Sequence, residues 1–235
     1  WWDHEDPVVG DQTQMEANFT LFWGISIMCY EMTLISDESK FDLSFQGKTK
    51  LTAQEQLGLE IFMNEGKCVN CHSGPETTGA SARLVRDDPI EFMKMQAGVD
   101  AYYDNGFYNI GVRPTEEDLG VGANGPFGPF SFTRRRQNGD DVKQNIQVSQ
   151  NARVAVDGAF KTPTLRNIEL TGPYMHNGGM RTLREVVEFY TRGSDFYHKN
   201  FEDLDPDVDG IDELGKDQGS FDEEKVEALV AFLKT

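Results

Sequence analysis

The chain has 235 residues, of which 40 are acidic and 22 basic. Its formal net charge of −18 argues against nucleic acid or an anionic membrane surface as its partner. The hydrophobic content of 38%, with 16 phenylalanines, is that of a folded globular protein. No apolar run approaches the roughly 18 residues that a membrane-spanning helix needs.

Apolar residues recur at helical spacing across residues 14–35. Because few charges mark a solvent face, the pattern predicts a long helix in the core. Cys29 lies in the middle of this segment, and the expected role is that of a buried, unreactive thiol.

A second helix is predicted to begin after a polar, irregular stretch at residues 36–50. Thr52 and Glu55 have the spacing of a capping box, in which each side chain binds the free main-chain amide of the other residue. This helix leads directly to residues 66–72, which read GKCVNCH.

The C-x-x-C-H spacing of Cys68, Cys71 and His72 is the attachment signature of a c-type haem. It predicts two thioether anchors and a histidine held against the iron. A redox dithiol and a zinc site are the alternatives. A zinc site made only of cysteines would need four thiols, and Cys29 is the one other cysteine. A thioredoxin-like motif requires a βαβ context, whereas a helix precedes Cys68.

Attachment of haem c takes place after export, so a periplasmic or otherwise extracytoplasmic location is expected. The first residues, WWDH, have none of the features of a signal peptide. A mature or trimmed product is therefore the expectation.

Further helices are predicted after the haem motif, at residues 90–103, after a capping box at Thr182 and Glu185, and after residues 220–223. Residues 160–167 are predicted to be extended, and residues 171–180 to form a glycine-rich turn. The predicted fold class is all-α: a cytochrome c-like haem domain with long irregular loops.

The residue that fills the sixth position of the iron decides between electron transfer and chemistry at the haem. Several downstream side chains have the right donor atoms, and the residue types alone leave the choice open. These candidates are Met175, His176, Met180, Tyr190 and His198.

The last third of the chain carries a longer pattern. Residues 160–179 read FKTPTLRNIELTGPYMHNGG and residues 182–190 read TLREVVEFY. This pattern resembles the second, C-terminal haem domain of the bacterial di-haem cytochrome c peroxidase superfamily, which includes the quinone-forming enzymes of methylamine utilisation. Residues 15–41, 51–74 and 104–120 also resemble parts of that family.

The resemblance implies an iron ligand pair. The peroxidases have a methionine ligand at the position of Tyr190, and the quinone-forming relatives have a tyrosine that binds iron. The resemblance therefore implies that His72 and Tyr190 are the two iron ligands, with Met175 as the second candidate. It also implies that His176 lies near the haem edge, although the sequence alone would place His176 in a turn.

A calcium ion is a further implication of the resemblance. In the family, carbonyl oxygens at the positions of Thr171 and Pro173 help to bind calcium between two haem domains, together with an asparagine of the other domain. Arg166 is a separate prediction from its residue type, because a guanidinium in an apolar stretch favours a bidentate anion. Its partner is expected to be a haem propionate or another carboxylate, or else the side chain clamps main-chain carbonyls.

The expected organisation is an N-terminal segment with an interdomain-type helix at residues 1–50 and a haem domain at residues 51–235. Family members have a further domain whose own haem reduces peroxide, so the chain is expected to belong to a longer di-haem protein or to bind a partner subunit. The function implied is electron relay from a small cytochrome or cupredoxin to that haem, with no catalytic residue here. The alternative is a mono-haem, non-enzymatic subunit of a larger respiratory complex.

Overall fold

The computed structural model describes residues 12–140, 146–209 and 223–235. The helices in these ranges are α1 (Gln14–Glu31), α2 (Lys40–Phe45), α3 (Ala53–Met63), α4 (Cys68–Cys71), α5 (Ala82–Val85), α6 (Phe132–Gln137), α7 (Leu183–Thr191), α8 (Tyr197–Asn200), α9 (Pro206–Asp209) and α10 (Glu223–Leu233), with a 3-10 turn at Ile168–Leu170. The strands are β1 (Ile90–Lys94), β2 (Asp100–Asp104), β3 (Phe107–Tyr108), β4 (Asn124–Gly125), β5 (Gly128–Pro129) and β6 (Phe160–Lys161).

The prediction of an all-α fold is wrong, because the chain is a mixed α/β protein. Its strands form three two-stranded antiparallel sheets, which pair β1 with β2, β3 with β6 and β4 with β5. The two strands of the β3–β6 sheet are about fifty residues apart in the chain, so this pairing connects the segment after the haem motif to the start of the last third.

The helix predicted at residues 90–103 is also wrong, since this segment forms the β1–β2 hairpin. Phe92 lies opposite Tyr102, and their ring centroids are 4.6 Å apart. Gly98 lies in the connection with a φ of +77°, a conformation that favours glycine. Cross-strand aromatic pairs stabilise a hairpin, but they are invisible to a test of helical spacing within one segment.

The core that supports the rest of the molecule is built by α3, α7 and α10. The predicted capping boxes of α3 and α7 are both confirmed. A methyl group on Gly58 of α3 would lie only 2.0 Å from the Ala228 carbonyl oxygen of α10, so these two helices are in close backbone contact. The buried residues that α3, α7 and α10 contribute to this core are Ile61, Phe62, Leu183, Val187, Val226, Ala228, Leu229, Val230 and Phe232.

The final helix, α10, is confirmed over Glu223–Leu233, whereas the predicted start signal before residue 223 lies outside the described residues.

The predicted long helix near the N-terminus exists as α1, but its expected place in the core is wrong. None of its residues is buried, and Phe19 and Met28 are each at least half exposed. Cys29 is exposed too, so the expectation of a buried thiol fails. The helix carries its own apolar side chains on all of its faces. Its sequence therefore has no polar face that would indicate which side meets solvent. No described helix has the length and apolar character that crossing a membrane requires.

Arg166 anchors α2, and the segment that leads into it, next to the 3-10 turn. Its Nη1 and Nη2 donate to the two carboxylate oxygens of Asp42, at 2.8 and 3.0 Å. The same guanidinium donates to the carbonyl oxygens of Pro75 and Ser36, at 2.8 and 2.6 Å. The Arg166 guanidinium lowers the pKa of Asp42 to about 2. The contact thus combines a bidentate carboxylate with a carbonyl clamp, and a role of Arg166 toward haem stays a prediction.

We expect Gly58→Ala to lower the free energy of unfolding by roughly 1–3 kcal/mol, because the added methyl group must displace the backbone of α10. Gly24→Ala is the matched control, since Gly24 is also inside a helix and no atom lies within 4 Å of the position that an added Cβ would take. That control should gain up to about 1 kcal/mol from helix propensity. Urea denaturation followed by circular dichroism measures both changes, and equal effects would contradict the close contact.

We expect Asp42→Asn to lower the free energy of unfolding at pH 7 by roughly 2 kcal/mol, the amount that corresponds to the lowered pKa of Asp42. Because the pKa of Asp42 is lower in the folded state, its ionised carboxylate stabilises the fold at pH values above 3.8, its pKa in the unfolded chain. This stabilisation is lost as the pH falls toward 2. Roughly half of the difference between the two proteins should therefore remain at pH 3. Asp100→Asn, which breaks an exposed pair with Lys94, should cost under about 1 kcal/mol at either pH. A difference for Asp42→Asn that is the same at both pH values would contradict the assignment.

Candidate haem-binding site

The turn between α3 and α4, the short helix that contains both cysteines, folds back tightly on the end of α3. The amide of Gly66 donates to the Ile61 carbonyl at 2.8 Å, and a Cβ on Gly66 would lie 2.9 Å from that oxygen. Lys67 follows with a φ of +52°. This return places α4, with both cysteines, along the wall of a cavity.

The cavity has a volume of about 390 Å³, within the range of roughly 300–1,000 Å³ that is usual for cofactor sites. Its wall is formed by α4, by β3, by parts of residues 158–165 and 168–176, by α7, by α9 with the loop before it, and by α10. The predicted site residues that line it are Cys68, Cys71, His72, Thr171, Pro173, Met175, His176 and Tyr190.

His72 is held in the form that binds metals. Its Nδ1 lies 3.1 Å from the Thr77 carbonyl oxygen, which only accepts, so Nδ1 carries the proton and donates it. Burial lowers the pKa of His72, which keeps the ring neutral. The Pro163 carbonyl is a second main-chain acceptor for the ring. A hydrogen bond from one ring nitrogen to a carbonyl is the usual support of a metal-bound histidine.

The two cysteines are free thiols in an apolar setting. Burial raises the pKa of the Cys68 thiol to about 12 and raises the pKa of Cys71 as well. Reactive dithiols have lowered pKa values, so this environment does not favour the redox alternative. Among the described residues, no group of three His, Cys, Asp or Glu side chains is placed to hold a metal ion.

Three candidates for the sixth iron ligand line the cavity. Tyr190 lies on α7, where its ring meets that of Phe189 edge-on at 5.1 Å, and burial raises the pKa of its phenol. Met175 is half-buried with a φ of +65°. His176 is the third.

The side chain of His176 already has two partners. Its Nε2 lies 2.8 Å from a carboxylate oxygen of Asp118, and its ring stacks on Phe160 with a centroid distance of 3.6 Å. These contacts fix the ring at the edge of the cavity.

The structure does not bring the other two ligand candidates into the cavity. Met180 is buried with Val112 and Phe189, and His198 is exposed beside Tyr197.

Thr171 and Pro173 line the cavity and are exposed. The predicted calcium ligands at these two positions are main-chain carbonyl oxygens. Their calcium role stays a prediction. Arg166 does not line this cavity, because its guanidinium is bound to Asp42 and to two carbonyl oxygens.

Two further residues of the cavity wall were missed from the sequence. Tyr108 of β3 and Asp205, in the loop before α9, both line the cavity. Asp205 is only 4% exposed, and burial raises its pKa to about 6. It stands in an acidic stretch that reads as solvated surface, so no pattern in the sequence distinguishes it.

The residues present fit a covalently attached haem. Two thiols that are not bound to each other, a buried histidine that donates from Nδ1 to the Thr77 carbonyl and a mainly apolar wall lie around one cavity. These are the groups that attachment of haem c requires.

The sequence matches no protein-family model. It is 31% identical over 177 residues to a cytochrome-c peroxidase, IdrP1, of Pseudomonas sp., and the match covers 72% of this chain and 40% of that protein. It is 29% identical over 211 residues to the cytochrome c551 peroxidase of Nitrosomonas europaea, covering 89% of this chain and 42% of that protein. It is 26% identical over 216 residues to the methylamine utilization protein MauG of Paracoccus denitrificans, covering 84% and 46%.

A solved structure has a similar fold. It is the crystal structure of a MauG-like protein associated with microbial copper homeostasis, with a TM-score of 0.54 and 23% sequence identity over 85% of this chain and 48% of that one. The chain thus spans less than half the length of each of these relatives. It is a member of the superfamily that contains the bacterial cytochrome c peroxidases and the MauG proteins.

Proposed function

We propose that the chain is a c-type haem domain that transfers electrons in a cytochrome c peroxidase-like oxidoreductase. The observation that carries the proposal is one cavity lined by Cys68, Cys71, His72 and Tyr190. When bound, haem supplies one-electron redox chemistry through its iron. The relatives named cytochrome-c peroxidase and MauG support this class of reaction.

In this proposal Cys68 and Cys71 attach the haem through thioether bonds, and Nε2 of His72 binds the iron. The hydrogen bond from Nδ1 of His72 to the Thr77 carbonyl sets the orientation of the ring and increases its strength as a donor. The apolar wall keeps water away from the iron.

Tyr190 is the proposed sixth ligand. Burial alone opposes the loss of its phenolic proton, since it raises the pKa of Tyr190. A bound cation reverses that preference, because a phenolate is stabilised by the positive charge beside it. A phenolate favours ferric iron and lowers the reduction potential. Met175 is the alternative ligand from the same wall.

Other proposed contacts are less direct. His176, fixed by Asp118, packs at the haem edge. The carbonyls of Thr171 and Pro173 contribute to a calcium site that another domain completes. Arg166 contributes indirectly, by holding α2 through Asp42.

The proposed domain arrangement places the haem domain at residues 51–235 and an interdomain-type helix within residues 1–50. A second haem domain or subunit reduces peroxide, and a small cytochrome or cupredoxin donates the electrons. The net charge of −18 favours a donor with a basic docking surface. The proposed location is the periplasm.

The test is the haem-loaded chain, produced with a haem c maturation system. We expect one covalent haem per chain by intact mass and pyridine haemochrome, a low-spin ferric spectrum, reduction by a small basic cytochrome and little turnover of hydrogen peroxide. A high-spin, five-coordinate iron with substantial peroxide turnover would contradict electron transfer as the role of this haem.

Each thioether bond can be removed separately. We expect Cys68→Ala and Cys71→Ala each to leave at most a single thioether, so that haem is lost or is bound with an altered haemochrome spectrum. Cys29→Ala is the matched control, because Cys29 is exposed and distant from the motif in sequence. Its haem content and spectrum should equal those of the wild type. Equal haem loss in all three variants would contradict the assignment of Cys68 and Cys71.

We expect Tyr190→Phe to convert the ferric iron from low spin to high spin, or to a different ligand, and to raise the midpoint potential because an anionic donor is lost. Tyr174→Phe is the control, since Tyr174 lines the same cavity but donates its hydroxyl to the Ile168 carbonyl at 2.8 Å. It should keep the wild-type spectrum. An unchanged spectrum in Tyr190→Phe together with a changed one in Met175→Leu would assign the ligand to Met175.

A further inference from the structure

Asp205 is a buried carboxyl group on the wall of the haem cavity. Its main-chain amide donates to the Asn109 carbonyl at 2.9 Å, which fixes the residue next to β3. The side chain accepts a hydrogen bond from the amide of Asp207 at 2.8 Å. With 4% of its surface exposed, the carboxyl has exchanged most of its hydration for that contact.

No described lysine, arginine or histidine forms an ion pair with Asp205. The charges that act on Asp205 are those of Asp207 and Lys67, which form an ion pair with each other at 3.7 Å. The ionisable groups on which its own charge acts lie on α4, β2, β3 and α7. After burial, the charge of Asp205 contributes to the raised pKa values of four groups: Cys71, Tyr103, Tyr108 and Tyr190. Among the described residues, Lys67, itself paired with Asp207, is the cation whose charge acts on Asp205.

This setting favours the protonated carboxyl. Burial raises the pKa of Asp205 to about 6, while the hydrogen bond from the Asp207 amide opposes the rise. The charge of Asp207 adds to the rise and that of Lys67 works against it. A group that titrates in this range changes its protonation when a nearby charge changes by one unit.

We propose that Asp205 takes up a proton when the haem of this domain is reduced and releases it when the haem is oxidised. The inference rests on the proposed function, because it requires a redox-active haem in the cavity. Reduction removes one positive charge beside the carboxyl, which weakens the stabilisation of its anion. The donor protein supplies the electron, water supplies the proton, and the carboxylate becomes a carboxylic acid.

Asp207 connects the buried carboxyl to the turn that carries the haem motif. Its side chain is 35% exposed, and it holds Asn70 at 2.8 Å and Lys67 at the mouth of the motif turn. Its main-chain amide reaches the buried carboxyl of Asp205, and its side chain is partly open to solvent.

The experiment is the midpoint potential of the haem-loaded chain from pH 5 to pH 8, measured by spectroelectrochemistry. We expect the wild-type potential to fall as the pH rises, by at most about 59 mV for each tenfold fall in proton concentration in a one-electron couple. Asp205→Asn should show a flat potential near the wild-type value at pH 5, because asparagine resembles the neutral acid.

Two further variants separate the charge of Asp205 from its effect on folding. Asp205→Glu retains a carboxyl and should retain a pH-dependent potential. Asp207→Asn changes the neighbouring acid but keeps the amide that supports Asp205, so it should retain the slope, with the transition at a lower pH. A second readout is proton uptake on reduction in weakly buffered solution, followed with an indicator dye. Wild type should take up protons near pH 6, and Asp205→Asn should not.

A wild-type potential that is constant from pH 5 to pH 8 would overturn the proposal. So would an unchanged slope and proton uptake in Asp205→Asn, which would assign the proton to another group. A chain without covalent haem would contradict the proposed function itself, whereas a low-spin haem with a constant potential would contradict only the coupling to Asp205.

Discussion

The hydrogen bond between His72 and the Thr77 carbonyl is the contact on which the geometry of the cavity depends. It sets the orientation of the ring, and it ties the haem motif to the loop that follows. The hydroxyl of Thr77 accepts from the amide of Leu165 at 2.8 Å, and the next residue, Thr78, donates to the Thr162 carbonyl at 2.6 Å. One short loop therefore positions the histidine and also the opposite wall, so a shift of either side would move both.

The helical core gives this loop a rigid base. The close contact of α3 and α10 at Gly58 fixes the end of α3, from which the cysteine turn begins. α7 packs on the same core and presents Tyr190 to the cavity. The anchor and the candidate ligand are thus more than a hundred residues apart in the chain, but they are carried by helices of one packed unit. Packing of this kind, rather than a local motif, determines the space between them.

Features that depend on neighbouring residues could be predicted from the sequence, and features that depend on distant partners could not. The capping boxes at Thr52 and Thr182 and the haem motif are local, and the cavity does bring His72 and Tyr190 together. The β1–β2 hairpin was missed because its stability lies in cross-strand pairs. The partner of Arg166 was undetermined because Asp42 lies 124 residues away. The exposure of α1 was missed because the hydrophobicity of a helix predicts that it is buried but does not identify the surface that would cover it.

The wall of the cavity has few charged groups, although the protein as a whole is strongly acidic. Burial keeps the histidine neutral and raises the pKa values of the cysteines and of Tyr190, so the uncharged forms of all these groups are favoured. Such an environment has few charged groups or water molecules that could compensate a change of charge at its centre. Interactions between charges are also strong there, because little water screens them. Among the described residues of the wall, Asp205 is the buried carboxyl that can respond to such a change within the neutral pH range. The same burial that makes the wall suitable for a haem therefore makes this one side chain sensitive to the oxidation state of the iron.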